Sequence, residues 1–180
     1  MLKTILRQKQ DKRCACEADA SPARESRQLN DRVGIAVVFL CHDGCGRFVL
    51  AQRGVNARNE AGTWDIGGGA LEVGEDVEQA LRREIMEEYG AEVLGTDFLG
   101  YRDVHYDHAG APMQHWLALD FCVRVRPEQV RIAEPHKFDD LGWFTLDNLP
   151  EPIYSRLPEF LTLHTDRIAA VLSHRVPAGA

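Results

Sequence analysis

The sequence contains little that would place the protein in or across a membrane. No apolar run in its 180 residues approaches the roughly 20 residues that a membrane-spanning helix needs. Its start, MLKTILRQKQDKRCACEADA, lacks the apolar core of about 7–15 residues found in a signal peptide. An organellar transit peptide is the alternative, and the acids Glu17 and Asp19 count against a long one. We therefore expect a cytoplasmic protein with no membrane partner.

Positive charge is also scarce. The chain has 21 lysine and arginine residues against 28 aspartate and glutamate residues, which gives a formal net charge of −7. Nonspecific binding of nucleic acid depends on a basic face, so we expect no nucleic-acid partner. A protein this acidic that handles phosphates needs another source of positive charge, and a metal ion would supply it.

The cysteines form neither a disulfide framework nor a zinc motif. Their number is odd and no export signal precedes them, which favours reduced thiols. A zinc site would require spacings closer to C-x2-C than those observed. The cysteines are Cys14, Cys16, Cys41, Cys45 and Cys122.

The composition is that of a globular protein. Hydrophobic residues make up 44% of the chain and charged residues 27%, which fits one domain with a core. Residues 1–30 are polar and mixed in charge, so we interpret them as an N-terminal extension that is disordered or forms a short helix. Residues 31–175 carry the strand and helix patterns and form the expected domain.

Strand and helix patterns alternate along this domain. Asp43 and Gly44 form a turn signal between the first two apolar segments, which predicts an antiparallel hairpin. Interleaved elements with a hairpin exclude a purely parallel sheet and indicate a mixed α/β layered sandwich. Strands are predicted at residues 33–41, 47–53, 97–107, 114–125 and 141–146, and helices at 77–89 and 156–172.

The first of these helices has clear boundaries and an unusual distribution of acids. Asp76 suits the N-cap with Gln79 as its capping-box partner, and Gly90 suits a left-handed C-terminal glycine. At about 100° per residue, Glu84 and Glu88 fall on the edge of the apolar stripe. That stripe consists of Val77, Leu81 and Ile85.

Glu84, Glu87 and Glu88 lie at a helical spacing where like charges repel by about 0.2–0.5 kcal/mol per pair. A solvated acidic face is the ordinary explanation, but acids that border the core are partly desolvated. A divalent hard cation, bound by clustered oxygens, would offset both costs. The preceding glycines, residues 67–69, suit a backbone that approaches a ligand closely, with an ordinary flexible loop as the alternative.

This segment resembles the Nudix box of the MutT/Nudix hydrolases. Gly69 is followed after five residues by Glu75 and after seven more by REIMEEYGA, which fills the fixed positions of that motif, although Ala91 is small for the last one. The resemblance covers about residues 32–150, through LAQR, GTW and GWFTLDNLP. It implies a Nudix-type α/β/α sandwich with a mixed β-sheet. Gly67 stands where many members have proline, which predicts a more mobile entry to the loop.

The resemblance also implies the metal site. The expected ligands of Mg²⁺ or Mn²⁺ are the side chains of Glu84, Glu88 and Glu87 and the carbonyl of Gly69. Arg83 is expected to pair with Glu75 and hold the loop onto the helix. Glu84 is the first candidate for the general base, and Glu134 is the second, with an exposed loop acid as its alternative interpretation.

Two further groups of residues complete the expected site. Arg83 and Glu87 join Glu84 and Glu134 in the expected catalytic set. The candidate substrate-binding residues are Arg53, Gly68 and Gly69. On the strands that follow, His105, His115 and Trp116 either face the cleft or pack against neighbours.

Members of this family hydrolyse nucleoside diphosphates linked to another group, which makes a small nucleotide the expected partner. Tyr106 stands about where the ADP-ribose branch has proline, so a nucleoside triphosphate that yields a monophosphate and pyrophosphate is favoured. ADP-sugars, dinucleoside polyphosphates and other nucleoside diphosphate derivatives are alternatives. So are a non-catalytic nucleotide-binding module on this fold, an isomerase of isopentenyl diphosphate and an acidic interaction protein. The oligomeric state is open, with a homodimer as one option.

Overall fold

The computed structural model describes residues 33–107 and 114–173. The expected extension at residues 1–30 and the predicted loop at 108–112 lie outside the described residues. The described residues all belong to one compact unit. None of the helices in the described ranges has the length and apolar character needed to cross a bilayer.

Seven strands in the described ranges form one mixed sheet. They are β1 (Gly34–His42), β2 (Phe48–Arg53), β3 (Trp64–Asp65), β4 (Gly67–Ala70), β5 (Val93–Tyr106), β6 (Gln114–Val125) and β7 (Phe138–Phe144). The order is β3-β2-β1-β6-β5, with β4 against β1 and β7 against β2. β1 runs parallel to β6 and antiparallel to β2 and β4. The mixed α/β class predicted from the sequence is therefore confirmed.

The first two strands pair differently from the predicted hairpin. The turn is present, and the Asp43 carboxylate accepts two backbone hydrogen bonds within it. In the described residues, however, β1 and β2 share a single register pair, His42 with Phe48, and β2 continues beside β7. β4 pairs with β1 from Ala36 to Phe39, so it occupies the edge that a full hairpin would have used.

The first helix, α1 (Val77–Tyr89), has the predicted boundaries. The backbone N–H of Asp76 donates to Gln79 Oε1 at 3.0 Å, which is half of the expected capping box. Gly90 ends the helix in the left-handed conformation at φ 60°, where its lack of a side chain avoids strain. Both termini are therefore confirmed.

The helical pattern at 156–172 divides into two helices. These are α2 (Leu157–Leu163) and α3 (Thr165–Ser173). His164 lies between them with φ −109° and ψ 13°, outside helical geometry, and its ring reaches buried Asp120 at 2.8 Å. A long-range hydrogen bond thus accompanies a break that local periodicity could not predict.

The core consists of two clusters, one on each face of the sheet. Val37 and Phe39 of β1 pack in the cluster that includes Leu81 and Ile85 of α1. Leu40 of β1 belongs to the opposite cluster, which contains the following side chains of α2 and α3: Leu157, Phe160, Ile168 and Leu172. The sheet therefore lies between helices on both faces, which confirms the expected α/β/α sandwich.

The segment expected to be a loop with a mobile entry is instead the strand β4, in which Gly67 pairs with Phe39. We expect Gly67→Ala to destabilise the protein by about 1–3 kcal/mol, because overpacking a close-packed core costs that much. The new methyl group would overlap the Phe39 ring. Urea unfolding measures the change.

Gly95→Ala is the matched control for this variant. Gly95 also lies in a strand, but a methyl group there would have no neighbour within 4 Å. If the two variants unfold at the same urea concentration, the close packing of β4 is not what requires glycine at position 67.

Candidate active site

The glycines of β4 create the space that the acids of α1 occupy. A Cβ atom on Gly69 would overlap the carboxylate of Glu84, and one on Gly67 would lie 2.6 Å from Glu88 Oε2. The backbone N–H of Gly68 donates a hydrogen bond to Glu88 Oε2 at 3.3 Å. Gly67 and Gly69 therefore act by allowing close approach of the helix.

The acids of α1 differ in burial as their positions on the helix suggest. Glu84 is 8% exposed and Glu88 is 1% exposed, while the side chain of Glu87 is half exposed. A solvated acidic face is therefore excluded for two of the three glutamates. Buried carboxylates of this kind require cations or hydrogen bonds.

Arg83 supplies one of these cations. Its Nη1 lies 2.8 Å from Glu84 Oε1 and 3.0 Å from Glu87 Oε2. Its Nε and Nη2 donate to the two Glu75 oxygens at 2.9 and 3.0 Å, so the expected contact of Arg83 with Glu75 is present. Nη2 also donates to the carbonyl of Ala70. Hydrogen bonding from Arg83 lowers the pKa of Glu75 below its usual range.

Lys137 supplies the other cation, and sequence reasoning missed it. Its ammonium pairs with Glu88 Oε1 and lies 3.5 Å from Glu134 Oε2. Two features of the sequence could have pointed to Lys137. It is the only lysine after Lys12, and it follows the candidate acid Glu134 by three residues. Burial raises the pKa of Glu88 to about 8, although the Lys137 ammonium lowers it in part.

A cavity of about 510 Å³ opens on the other face of the sheet. We call it the main pocket. Because residues alternate along a strand, Ala36 and Val38 face this pocket while Val37 and Phe39 pack towards α1. One border is formed by β4 together with Glu88 and Lys137, and the opposite wall includes Arg102, Trp116, Leu157 and Phe160. Glu88 thus lies where the acids of α1 meet the main pocket.

Arg53 lines the main pocket, as does the partly buried acid Asp65. Arg53 Nη1 lies 3.3 Å from Asp65 Oδ2, and the guanidinium stacks 4.8 Å from the centre of the Tyr154 ring. Burial raises the pKa of Asp65 to about 6, against the opposing effect of Arg53. The structure therefore brings Arg53 to the cavity and fixes its orientation.

The remaining candidates fall in different places. Trp116 lines the main pocket, but His105 and His115 do not; their rings stack on each other at 4.3 Å. Glu134 is also absent from the pocket lining, and its carboxylate contacts the site through Lys137. Strand alternation explains the separation of Trp116 from His115.

The donor set of Glu84, Glu88, Glu87 and the Gly69 carbonyl consists of oxygens, which suit a hard divalent cation. Within the described residues, no three carboxylate, imidazole or thiolate groups converge closely enough to hold a metal ion. Arg83 and Lys137 bridge the carboxylates instead. The residues fit such an ion by the chemistry of their oxygen donors, and binding would require Glu84 and Glu88 to exchange these internal partners.

Comparison with protein families gives one assignment for most of the chain. The family described as NUDIX domain matches residues 31–163. Among solved structures, the MutT NUDIX hydrolase from Burkholderia pseudomallei is similar at 27% identity with a TM-score of 0.59, and the match covers 81% of this chain and 100% of that one.

Curated relatives match over shorter segments. The NAD-capped RNA hydrolase NudC of Vibrio vulnificus is 32% identical over 57% of this chain and 35% of the relative. The nucleoside triphosphatase NudI of Salmonella arizonae is 41% identical over 35% of this chain and 43% of the relative. An uncharacterized Nudix hydrolase of Yersinia pestis is 28% identical over 69% of this chain and 63% of the relative. The chain thus spans from about a third to under two thirds of the length of these relatives.

The raised pKa of Glu88 predicts a pH dependence of stability in chelator. Its pKa is about 8 in the folded protein and 4.5 as the ordinary value, so the folded state binds the proton more tightly. The free energy of unfolding should therefore fall as pH rises between these values, by on the order of a few kcal/mol. Glu88→Gln should remove this slope in urea unfolding at pH 5 to 8.

The control is Glu87→Gln, because Glu87 lies one residue away with its side chain half exposed. This variant should retain the parental slope. A Glu88→Gln protein whose stability still declines over the same pH range would assign the effect to another group.

Proposed function

The chain belongs to the Nudix family, and we propose that it hydrolyses the diphosphate linkage of a small nucleotide, with a nucleoside triphosphate as the substrate and a nucleoside monophosphate and pyrophosphate as the products. The observation that carries this proposal is the meeting of the acids of α1 with the main pocket at Glu88. A pocket of about 510 Å³ falls in the range of about 300–1,000 Å³ that is usual for small-molecule sites.

We infer that Glu84, Glu88 and Glu87, with the carbonyl of Gly69, hold Mg²⁺ or Mn²⁺. When bound, the ion would neutralise phosphate oxygens, orient the leaving phosphate and acidify a water molecule. Glu84 is the proposed general base, and Glu134 is the second candidate.

The cations of the site have separate proposed roles. Arg83 holds β4 and the loop at Glu75 against α1, and so positions Glu84. Lys137 is partly exposed beside Glu88 and borders the main pocket, which suits contact with a phosphate oxygen. Arg53 and the backbone of Gly68 and Gly69 border the same space and would bind the remaining phosphate oxygens.

Two relatives suggest different substrates. The name of the NudI relative, a nucleoside triphosphatase, favours the triphosphate. The name of the NudC relative, an NAD-capped RNA hydrolase, favours a second candidate in which the diphosphate joins two nucleotides. The net charge of −7 speaks for a small molecule over a long nucleic acid in either case.

A substrate panel tests the proposal. Nucleoside triphosphates, NAD, ADP-ribose and dinucleoside polyphosphates would be incubated with Mg²⁺ or Mn²⁺ and the products separated by anion exchange. We expect a nucleoside triphosphate to yield pyrophosphate and a nucleoside monophosphate. In excess chelator we expect no hydrolysis. Release of orthophosphate, or cleavage of NAD alone, would overturn the triphosphate assignment. Binding without turnover of any substrate would favour a non-catalytic module.

Glu84→Gln should lower kcat by about 10²–10⁴-fold, the range for loss of a general base. Glu78→Gln is the matched control, because Glu78 lies on the same helix in an exposed pair with Arg82. Steady-state kinetics with a melting curve for each variant separates catalysis from folding. Near-parental kcat in a folded Glu84→Gln protein would rule out Glu84 as the base and direct attention to Glu134.

A further inference from the structure

A buried ionic cluster lies behind the wall of the main pocket opposite Glu88, and its Arg102 lines that pocket. Arg102 of β5 donates to Asp120 of β6 through Nε at 2.7 Å and Nη2 at 3.1 Å. His164, at the break between α2 and α3, lies 2.8 Å from Asp120 Oδ2. All three residues are at most 8% exposed. The guanidinium of Arg102 is therefore held in one orientation by its two hydrogen bonds to Asp120.

Stability alone does not explain this cluster. A buried ion pair is often no more stable than apolar residues of similar volume, and apolar residues would suit the surroundings, since the Arg102 guanidinium lies 5.4 Å from the centre of the Phe160 ring. A fixed guanidinium does give the pocket wall a donor of defined direction.

The available donor is Nη1. Within residues 33–107 and 114–173 it makes no hydrogen bond, and the nearby Glu159 Oε2 lies 3.9 Å away, beyond hydrogen-bond distance. Arg102 lines the main pocket, and a guanidinium can only donate. A ligand group beside Nη1 must therefore be a hydrogen-bond acceptor.

The strand register gives the distance from Arg102 to β4, the strand that contacts the acids of α1. Ala70 of β4 pairs with Ala36, Ala36 with Ala118, and Ala118 with Arg102. Arg102 thus lies three strand spacings, or about 14 Å, from β4. Small side chains form the floor between them, which leaves room for a ribose between a phosphate at β4 and a base at Arg102.

Trp116 provides an aromatic surface for that base. A methyl group on Gly34 would overlap the six-membered ring of Trp116, so the ring lies against the backbone of β1. Trp116 lines the main pocket on the strand next to Arg102. Aromatic side chains stack on any nucleobase, because every base has a π-face. The choice between bases therefore depends on the polar groups at the base edge.

We propose that Arg102 Nη1 donates a hydrogen bond to a carbonyl oxygen of the substrate's nucleobase, so that the site selects oxo bases (guanine, hypoxanthine, uracil or thymine) over adenine. The selection deepens the proposed function and depends on it. Asp120 neutralises the Arg102 charge, which favours a neutral carbonyl over a second phosphate. The 6-amino group of adenine is a hydrogen-bond donor and would face the Nη1 donor of Arg102 without a bond. The O6 atom of guanine or hypoxanthine is an acceptor, and Arg pairs well with that edge of a purine.

Inosine and adenosine nucleotides test the proposal, because their bases differ at position 6. We would measure kcat/KM for ITP and ATP, and the Kd of IMP and AMP by calorimetry. The parent should favour the inosine nucleotide by about 10- to 100-fold, the effect of one well-placed Arg–base contact. The preference should reside in KM and Kd, since Arg102 lies away from the acids of α1.

The main variant is Arg102→Met with Asp120→Asn, because removing both charges leaves no unpaired buried ion. Arg102→Lys is the second variant, since it keeps the charge but not the planar fork. In both variants the ratio of kcat/KM for ITP to kcat/KM for ATP should fall towards one. Arg167→Met is the matched control, because Arg167 donates to the carbonyls of Phe98 and Leu99 on β5 but does not line the main pocket.

The outcomes separate this inference from the proposed function. Equal use of ITP and ATP by the parent, or a preference that survives in a folded Arg102 variant, would overturn the role of Arg102. If the parent binds IMP more tightly than AMP and the Arg102 variants do not, the role of Arg102 is supported. If no triphosphate is hydrolysed in the same experiments, the proposed reaction is overturned. Absence of binding to all four nucleotides would overturn both.

Discussion

The candidate site depends on the absence of side chains along β4. Gly67 and Gly69 allow α1 to approach so closely that the carboxylates of Glu84 and Glu88 fill the space of the missing Cβ atoms. The same strand borders the main pocket on the other face of the sheet. One short backbone segment therefore joins a helix that carries negative charge to a cavity of nucleotide size.

Close approach also explains the electrostatics of the site. The helix spacing of the acids implies repulsion, and burial of Glu84 and Glu88 adds a desolvation cost. The structure balances both with two cations of different origin. Arg83 comes from α1 itself and is visible in the motif, whereas Lys137 comes from the loop before β7. A cation that binds here must compete with these internal partners.

Local patterns predicted the fold well where the interactions are local. The caps of α1 and the existence of the long strands follow from neighbouring residues, although β5 begins at Val93 and β7 at Phe138, each before its predicted start. The pairing of β2 with β7 and the helix break at His164 depend on distant partners, and they were missed. The expected loop at Gly67 is instead part of β4, because Gly67 pairs with Phe39 on the distant strand β1, which no local pattern reveals. The mobility of this segment stays a prediction.

The division between chemistry and selection follows from this geometry. The acids of α1 belong to a continuous motif, which is why sequence alone indicated a reaction class. On the far wall of the main pocket, Arg102 of β5 is held by Asp120 of β6, and Asp120 also contacts His164 after α2. These three residues are separated by up to 62 positions in the numbering and meet only in the folded protein. Their residue types carry no signal in isolation. A family resemblance therefore supports the proposed diphosphate chemistry, while the proposed choice of base depends on side chains that only the fold brings together.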